Sequence, residues 1–110
     1  MITKQDRQVG EELKDRILSS SKEQIRKIIL YGSRARGTAM PDSDFDLLVV
    51  ETGPVSKREE MQHLRHALRD LSIPMDIWVM GELEFEETKN VIGGIAYPAH
   101  KYGVVLSENG

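Results

Sequence analysis

Two short apolar runs separated by a polar segment dominate this sequence. Residues 28–31 (Ile-Ile-Leu-Tyr) stop at a glycine-serine pair, and residues 47–50 (Leu-Leu-Val-Val) follow an Asp-Phe-Asp sequence. Short apolar runs bounded by glycine and polar residues are typical of buried strands. The pattern predicts a strand, a tight turn and a second strand, and this unit constrains the fold more than any other part of the chain.

The acidic residues at the start of the second strand define a candidate metal site. Side chains two positions apart in an extended chain point the same way, so Asp44 and Asp46 would place two carboxylates on one face. Two converging anions repel each other unless a cation lies between them. A Mg2+ ion prefers oxygen ligands, and one or two protein carboxylates usually hold it together with water and substrate phosphates. The spacing therefore predicts a site for a hard divalent cation.

The glycine-serine pair at the end of the first strand predicts a phosphate-binding turn. Gly32 lets the backbone pass close to a ligand. Ser33 suits the N-cap of a short helix, whose free N–H groups attract phosphate. Together with the two carboxylates, this turn indicates that the ligand is a metal-bound nucleoside triphosphate.

The spacing of these residues resembles the signature of the nucleotidyltransferase superfamily of the DNA polymerase beta type. The glycine-serine pair, ten intervening residues and Asp44-x-Asp46 follow that signature, and the runs Gly-Ser-Arg-Ala-Arg-Gly (32–37) and Ser-Asp-Phe-Asp-Leu (43–47) match it almost without gaps. The chain is most similar to the minimal single-domain (MNT) branch. The resemblance implies an α/β (α+β) nucleotidyltransferase fold in which helices pack against a small mixed sheet.

A third strand is predicted at residues 75–80, where apolar residues alternate with Asp76 and Trp78. The superfamily takes its third carboxylate from such a strand, and Asp76 is the only candidate in this element. The resemblance implies that Asp44 and Asp46 bind one or two Mg2+ ions. Asp76 is then the general base toward the attacking hydroxyl or a ligand of the second metal, and both roles stay open. Trp78 could border the nucleotide pocket, but core packing is the favoured interpretation.

On the phosphate side, the resemblance assigns Gly32 and Ser33 to the β and γ phosphates of ATP, with Ser43 as a further nucleotide-binding residue of the same motif. Either Arg34 or Arg36 could pair with phosphate, because a guanidinium suits bidentate contact. We favour Arg34 as the ligand. We expect Arg36 to form a structural ion pair with a nearby aspartate.

The remaining elements follow from hydrophobic periodicity and from glycine and proline. They are a helix over residues 4–20, strands over 25–31 and 46–51, a helical turn within 32–37, a helix over 57–71 opened by a Ser56/Glu59 capping box, an acidic surface stretch over 82–87 anchored by Leu83 and Phe85, a short or irregular helix within 91–101 ended by Gly103, and a short strand over 104–106.

Length and composition narrow the classes of function. The 110 residues suit one domain, residues 1–110, with one modest core. A net charge of -3 argues against a general nucleic-acid binder. The chain has no cysteine, which fits a reducing compartment. The N-terminus lacks the apolar core of a signal peptide and no apolar run approaches membrane-spanning length, so we expect a cytoplasmic protein with no membrane partner.

Three functions are compatible with this sequence. The resemblance favours transfer of AMP from ATP to a hydroxyl, a tyrosine hydroxyl by expectation, of a HEPN-domain ribonuclease toxin, so that the protein is an antitoxin in a hetero-oligomer. In the second function the acceptor is a small molecule, as in aminoglycoside-modifying relatives, which usually add a helical domain with no counterpart here. In the third, the protein masks its partner by binding and nucleotide is a ligand only. The three carboxylates and the glycine-serine pair favour chemistry over binding alone.

Overall fold

The computed structural model describes residues 1–21 and 23–108, in which four strands and five helices follow one another. Their order is α1 (Lys4–Ser21), β1 (Ile25–Tyr31), α2 (Gly32–Arg36), β2 (Phe45–Glu51), α3 (Lys57–Ala67), β3 (Met75–Gly81), α4 (Glu82–Thr88), α5 (Ala96–Tyr102) and β4 (Val104–Glu108). None of the helices in these residues combines the length and the apolar character that a membrane crossing requires.

The four strands form one mixed sheet in the order β3-β2-β1-β4. Strand β1 pairs antiparallel with both β2 and β4, and β2 pairs parallel with β3. A parallel pair needs a crossover connection, which residues 52–74 with helix α3 provide. The expected small mixed sheet with helices packed against it is confirmed.

Alternation along the strands gives the sheet two different faces. On the first face, Leu47 and Val49 of β2 belong to the larger apolar cluster, which includes side chains of α1 and α3. On the second face, Leu48 and Val50 pack in a smaller cluster with side chains of α4 and α5. The same alternation places Asp46 on the second face, beyond the end of the smaller cluster.

The predicted helix over 57–71 begins where expected but ends a turn early, at Ala67. Ser56 occupies the N-cap position, but its side chain makes no capping hydrogen bond. The chain continues from Leu68 in turns, one of which is closed by the Leu71 N–H donating to the Leu68 carbonyl. These turns redirect the chain toward Pro74, whose preceding residue disfavours helical geometry.

The acidic stretch that follows β3 forms a helix, α4. Phe85 is 1% exposed and anchors this helix, whereas Leu83 is 74% exposed, so the prediction for Leu83 is wrong. The reason is geometric, since residues two apart on an α-helix lie on nearly opposite sides. Further along, the helix expected within 91–101 covers only Ala96–Tyr102 and ends, as predicted, at Gly103.

Candidate active site

Asp46 and Asp76 are direct partners in the parallel pairing of β2 with β3. Neighbouring strands are about 4.8 Å apart, so the two carboxylates leave the same region of the second sheet face. Asp44 lies two residues before Asp46, immediately ahead of β2, and is exposed. The structure therefore brings the three carboxylates predicted from the sequence into one cluster at the start of β2 and β3.

The three carboxylates interact electrostatically. Burial raises the pKa of Asp46 above its ordinary value, and the negative charges of Asp76 and Asp44 raise it further. Tyr31 is the strand partner of Asp46 on the β1 side, and the pKa of its hydroxyl is also raised, first by burial and then by the charges of Asp46 and Asp76. Within residues 1–21 and 23–108, no lysine or arginine forms a salt bridge with Asp44 or Asp46. Their charges thus lack a protein cation.

Asp76 differs from the other two carboxylates because nitrogen donors face it. The indole Nε1 of Trp78 donates a hydrogen bond of 2.9 Å to its Oδ2, and the guanidinium of Arg65 lies 3.8 Å from its Oδ1. Trp78 is 39% exposed, so the interpretation of this residue as core packing is wrong. The apolar cluster under α4 and α5 extends along the edge strand β3 as far as Met80 but does not include Trp78.

The turn after β1 packs closely against the side chain of Asp46. Gly32 has φ +77°, and a Cβ at this position would overlap Oδ2 of Asp46 and lie 3.3 Å from its Cγ. Helix α2 begins at Gly32 itself, with Tyr31 as the N-cap, so the prediction that Ser33 is the N-cap is wrong. Ser33 lies instead in the first turn of α2, and its hydroxyl has no hydrogen-bond partner in the described part of the chain.

Arg34 makes a set of internal contacts that the sequence did not reveal. Its Nη1 lies 3.2 Å from Oδ1 of Asp6 in α1, and these two side chains are only 14% and 11% exposed. The same guanidinium donates to the carbonyls of Pro41 and Ser43 and stacks 4.7 Å from the centre of the Phe45 ring. These contacts fix the 37–44 loop to α1 and α2, and they direct the guanidinium away from a role as phosphate ligand.

Arg36, in contrast, is exposed, and in residues 1–21 and 23–108 its side chain has neither an ion pair nor a hydrogen bond. The structural ion pair expected for Arg36 is therefore wrong, because Arg34 forms it with Asp6. The physical reason is that Asp6, which α1 brings to this position, is 28 residues distant from Arg34 in sequence. Of the two arginines, Arg36 is the one available to a ligand.

Ser43 has a structural contact of its own. Its Oγ accepts a hydrogen bond of 2.9 Å from the Met40 N–H, and its carbonyl accepts from Arg34. These bonds hold the loop immediately before Asp44. A direct contact of Ser43 with nucleotide remains a prediction.

The donor set fits a hard divalent cation completed by a substrate. Among the residues that the structure describes, no three histidine, cysteine, aspartate or glutamate side chains are arranged to hold a metal ion by themselves. A Mg2+ ion needs only one or two protein carboxylates, however, because water and phosphate oxygens fill its other positions. Asp44 and Asp46, which no cation among the described residues neutralises, are suited to that role.

Reasoning from the sequence missed two residues of the site and misjudged a third. The hydrogen bond from Trp78 to Asp76 could have been anticipated, because residues two apart on a strand share a face. Arg65 and Tyr31 reach the cluster from α3 and β1, and no local pattern in the sequence indicates these contacts.

The family model of the nucleotidyltransferase domain matches residues 11–97. Among curated proteins, no sequence matches the chain significantly. The structure is similar to that of a nucleotidyltransferase from Sulfolobus solfataricus, with a TM-score of 0.64 and 21% identity over 94% of this chain and 81% of the other.

Two further similar structures come from toxin–antitoxin systems. One is a toxin–antitoxin solved with AMP-PNP, with a TM-score of 0.57 and 20% identity over 90% of this chain and 73% of the other. The second is a mutant of the toxin–antitoxin MntA-HpeT, with a TM-score of 0.58, 19% identity and the same coverage. At this level of identity, the structural similarities support a shared fold.

Proposed function

Because the chain belongs to the nucleotidyltransferase domain family, we propose that it transfers AMP from ATP to a tyrosine hydroxyl of a HEPN-type toxin and so acts as an antitoxin. The observation that carries the proposal is the cluster of Asp44, Asp46 and Asp76 beside the turn at Gly32. The resemblance of the motif supplies the class of partner and the acceptor residue. We place the reaction in the cytoplasm, where ATP is available.

Asp44 and Asp46 would hold the Mg2+ that accompanies ATP. Asp46 lies on the second sheet face and Asp44 is exposed just ahead of β2. Burial together with like-charge repulsion makes the ionised form of Asp46 costly without a cation. When bound, one or two Mg2+ ions would neutralise charge that accumulates on the phosphates and activate the attacking oxygen. The protein contributes the placement of these two carboxylates at the entry to β2, and the pairing of β2 with β3 adds Asp76 beside Asp46.

The turn at Gly32 and Ser33 would hold the phosphates that leave as pyrophosphate. Gly32 brings the backbone directly beside Asp46, so a phosphate bound at the turn is also within reach of the metal site. The free hydroxyl of Ser33 and the exposed guanidinium of Arg36 provide donors on the same short helix. These groups orient the triphosphate so that its α phosphorus faces the acceptor.

Asp76 would act on the acceptor. In the transfer, the acceptor oxygen forms a bond to the α phosphorus, the bond from that phosphorus to the pyrophosphate oxygen breaks, and the hydroxyl proton passes to a base. As the general base, Asp76 would take that proton, and as a ligand of a second metal it would position the attacking oxygen. In either role, Asp76 lies on the edge strand β3, where a large acceptor can approach.

A protein acceptor fits the exposure of the site. Asp44 and Trp78 are exposed at the carboxylate cluster, so a folded partner can reach it without any opening of the structure. Two of the similar structures are described as toxin–antitoxin systems, one of them with AMP-PNP. We propose that this chain likewise forms a hetero-oligomer with the toxin that it modifies.

The test is a transfer assay with ATP labelled at the α phosphate, Mg2+ and the product of a neighbouring HEPN gene. We expect label on the toxin with the wild type and none with Asp44→Asn. Asp42→Asn is the matched control, because Asp42 is an exposed acid in the same loop. Neutralisation of the toxin that persists in Asp44→Asn without label would contradict the transfer proposal and favour binding alone. Label on an aminoglycoside but not on the toxin would contradict the protein acceptor.

A further inference from the structure

The side chain of Trp78 donates a hydrogen bond to the carboxylate of Asp76. We propose that Trp78 is a positioning residue, whose indole N–H holds the Asp76 carboxylate in the orientation that meets the acceptor hydroxyl. The contact is the hydrogen bond of 2.9 Å from Nε1 to Oδ2. The catalytic part of this inference rests on the proposed function, but the contact itself can be tested without it.

Asp76 needs such a partner more than Asp46 does. The Asp46 carboxylate is confined by the backbone at Gly32, which leaves no room even for a β-carbon. The Asp76 side chain is 43% exposed on an edge strand, so its carboxylate can otherwise turn into solvent. A donor fixed to the same strand two residues away removes this freedom, and a hydrogen bond to an ionised acceptor is stronger than one between neutral groups.

Arg65 is the alternative donor, and it is the weaker one. Its guanidinium lies 3.8 Å from Oδ1 of Asp76, its side chain is 53% exposed, and it also approaches the carbonyl of Ile77 at 3.5 Å. Exposed ion pairs at such distances contribute little because solvent screens them and the long side chain must be ordered. The indole has only two rotatable bonds, so it orders Asp76 at a lower entropic cost.

The position of Trp78 also indicates that it lies on the side of the site at which the acceptor would bind. Asp44 and Asp46 lie toward the turn at Gly32, whereas β3 is on the opposite flank of β2 from β1 and this turn. A group bound between Asp76 and the free edge therefore meets the exposed part of the indole. An aromatic acceptor side chain would pack on this surface.

Fluorescence tests the contact first, since Trp78 is the only tryptophan of the chain. We expect Asp76→Ala to change the emission maximum or intensity of Trp78, and Asp42→Ala to leave both unchanged. Because this measurement needs no acceptor, it remains informative even if the wild type modifies no toxin, an outcome that would count against the proposed function alone. Identical spectra for wild type and Asp76→Ala would overturn the proposed contact.

Kinetics then test the positioning role. Trp78→Phe keeps an aromatic ring and removes the N–H donor, and Leu83→Ala, at another exposed apolar side chain, is the control. We expect Trp78→Phe to lower kcat about tenfold or more, since a misplacement of about 1 Å in a reacting group can cost about 100-fold. Its melting temperature and its Kd for Mg2+ with a fluorescent ATP analogue should match the wild type. Unchanged kcat, or a loss of nucleotide affinity equal to the loss in kcat, would overturn the role. Trp78→Leu should in addition raise KM for the toxin.

Discussion

The backbone of Gly32 lies against the carboxylate of Asp46 so closely that a β-carbon on Gly32 would overlap Oδ2. This contact joins the end of β1 to the start of β2 at the point where the proposed phosphate and metal sites meet. Glycine is required here for two independent reasons, the space occupied by Asp46 and the φ of +77°.

Replacement of Gly32 by alanine should therefore impair the site more than the fold. The left-handed backbone conformation costs about 1–2 kcal/mol for a residue with a β-carbon. Displacement of Asp46 should reduce transfer by about 100-fold or more. Transfer rates and urea unfolding measure the two effects. Gly94→Ala is the control, because a β-carbon there meets no atom within 4 Å, and it should change stability by less than about 0.5 kcal/mol. Full activity of Gly32→Ala would refute the argument.

Neutralisation of Asp46 should make the protein more stable in the absence of Mg2+ while abolishing transfer. The pKa of Asp46 is raised, so the folded state disfavours its ionised form, and Asn removes the charge that Asp76 and Asp44 repel. We expect Asp46→Asn to raise Tm without metal and to lose the increase that Mg2+ and an ATP analogue give the wild type. In the wild type, the ligand at a concentration of 100 times its Kd should raise the free energy of unfolding by about 2.7 kcal/mol. A lower Tm for Asp46→Asn without metal would contradict the repulsion inferred here.

Substitution of the two arginines of α2 should have different effects, one on stability and the other on nucleotide binding. Arg34→Ala leaves Asp6 without its partner in a mostly buried position, and we expect a loss of about 3 kcal/mol in the free energy of unfolding. Arg36→Ala should change that free energy by less than about 0.5 kcal/mol and raise KM for ATP. Urea unfolding of both variants measures the free energy of unfolding, and steady-state kinetics measure KM for ATP. A stable Arg34→Ala protein with weak ATP binding would restore Arg34 as the phosphate ligand.

Glu51, at the end of β2, should make stability depend on pH. It is 2% exposed, and burial raises its pKa to about 8, with the neighbouring Glu60 adding to the increase. The pKa of the folded state thus exceeds the ordinary value of 4.5. The unfolded chain then releases this proton at lower pH than the folded one, and stability falls as pH rises from about 4.5 to about 8.

We expect a decrease of up to about 1.4 kcal/mol per pH unit within this window. Glu51→Gln should flatten the dependence and be the more stable protein at pH 8. Urea unfolding at several pH values between 5 and 8 provides the measurement, and Glu59→Gln, at an exposed position on α3, is the control. An equal slope for wild type and Glu51→Gln would show that this carboxyl does not titrate in the window.

The parts of the fold that the sequence predicted depend on local pattern. The alternation around Asp76 predicted β3, and the apolar run after Asp46 predicted β2 within one residue. The prediction that Asp44, Asp46 and Asp76 form one cluster needed the family resemblance as well, because pairing between β2 and β3 spans about thirty residues of sequence. Local pattern specifies which face a side chain occupies, and the topology specifies what it meets there.

The predictions that are wrong depend on contacts between residues that are distant in sequence. The ion pair predicted for Arg36 is made by Arg34, because its partner Asp6 comes from α1 and no feature of the motif indicates that helix. The core packing predicted for Trp78 is wrong because an edge strand and a central strand have the same alternating pattern. The N-cap predicted at Ser33 from the preference of serine for that position is wrong, because α2 begins at Gly32 with Tyr31 as its N-cap, two residues earlier, where Gly32 packs on Asp46.

The alignment of Asp46 opposite Asp76 has a consequence for tolerance of insertions and deletions. Side chains alternate along a strand, so a slip of one residue in this pairing would bring Met75 or Ile77 opposite Asp46 and turn Asp76 toward α1 and α3. An insertion in the 68–74 connection is therefore tolerated only if it enlarges the turns and leaves the register of β3 on β2 unchanged. Among natural variants of this chain, length should vary in that connection far more readily than within the seven residues of β3.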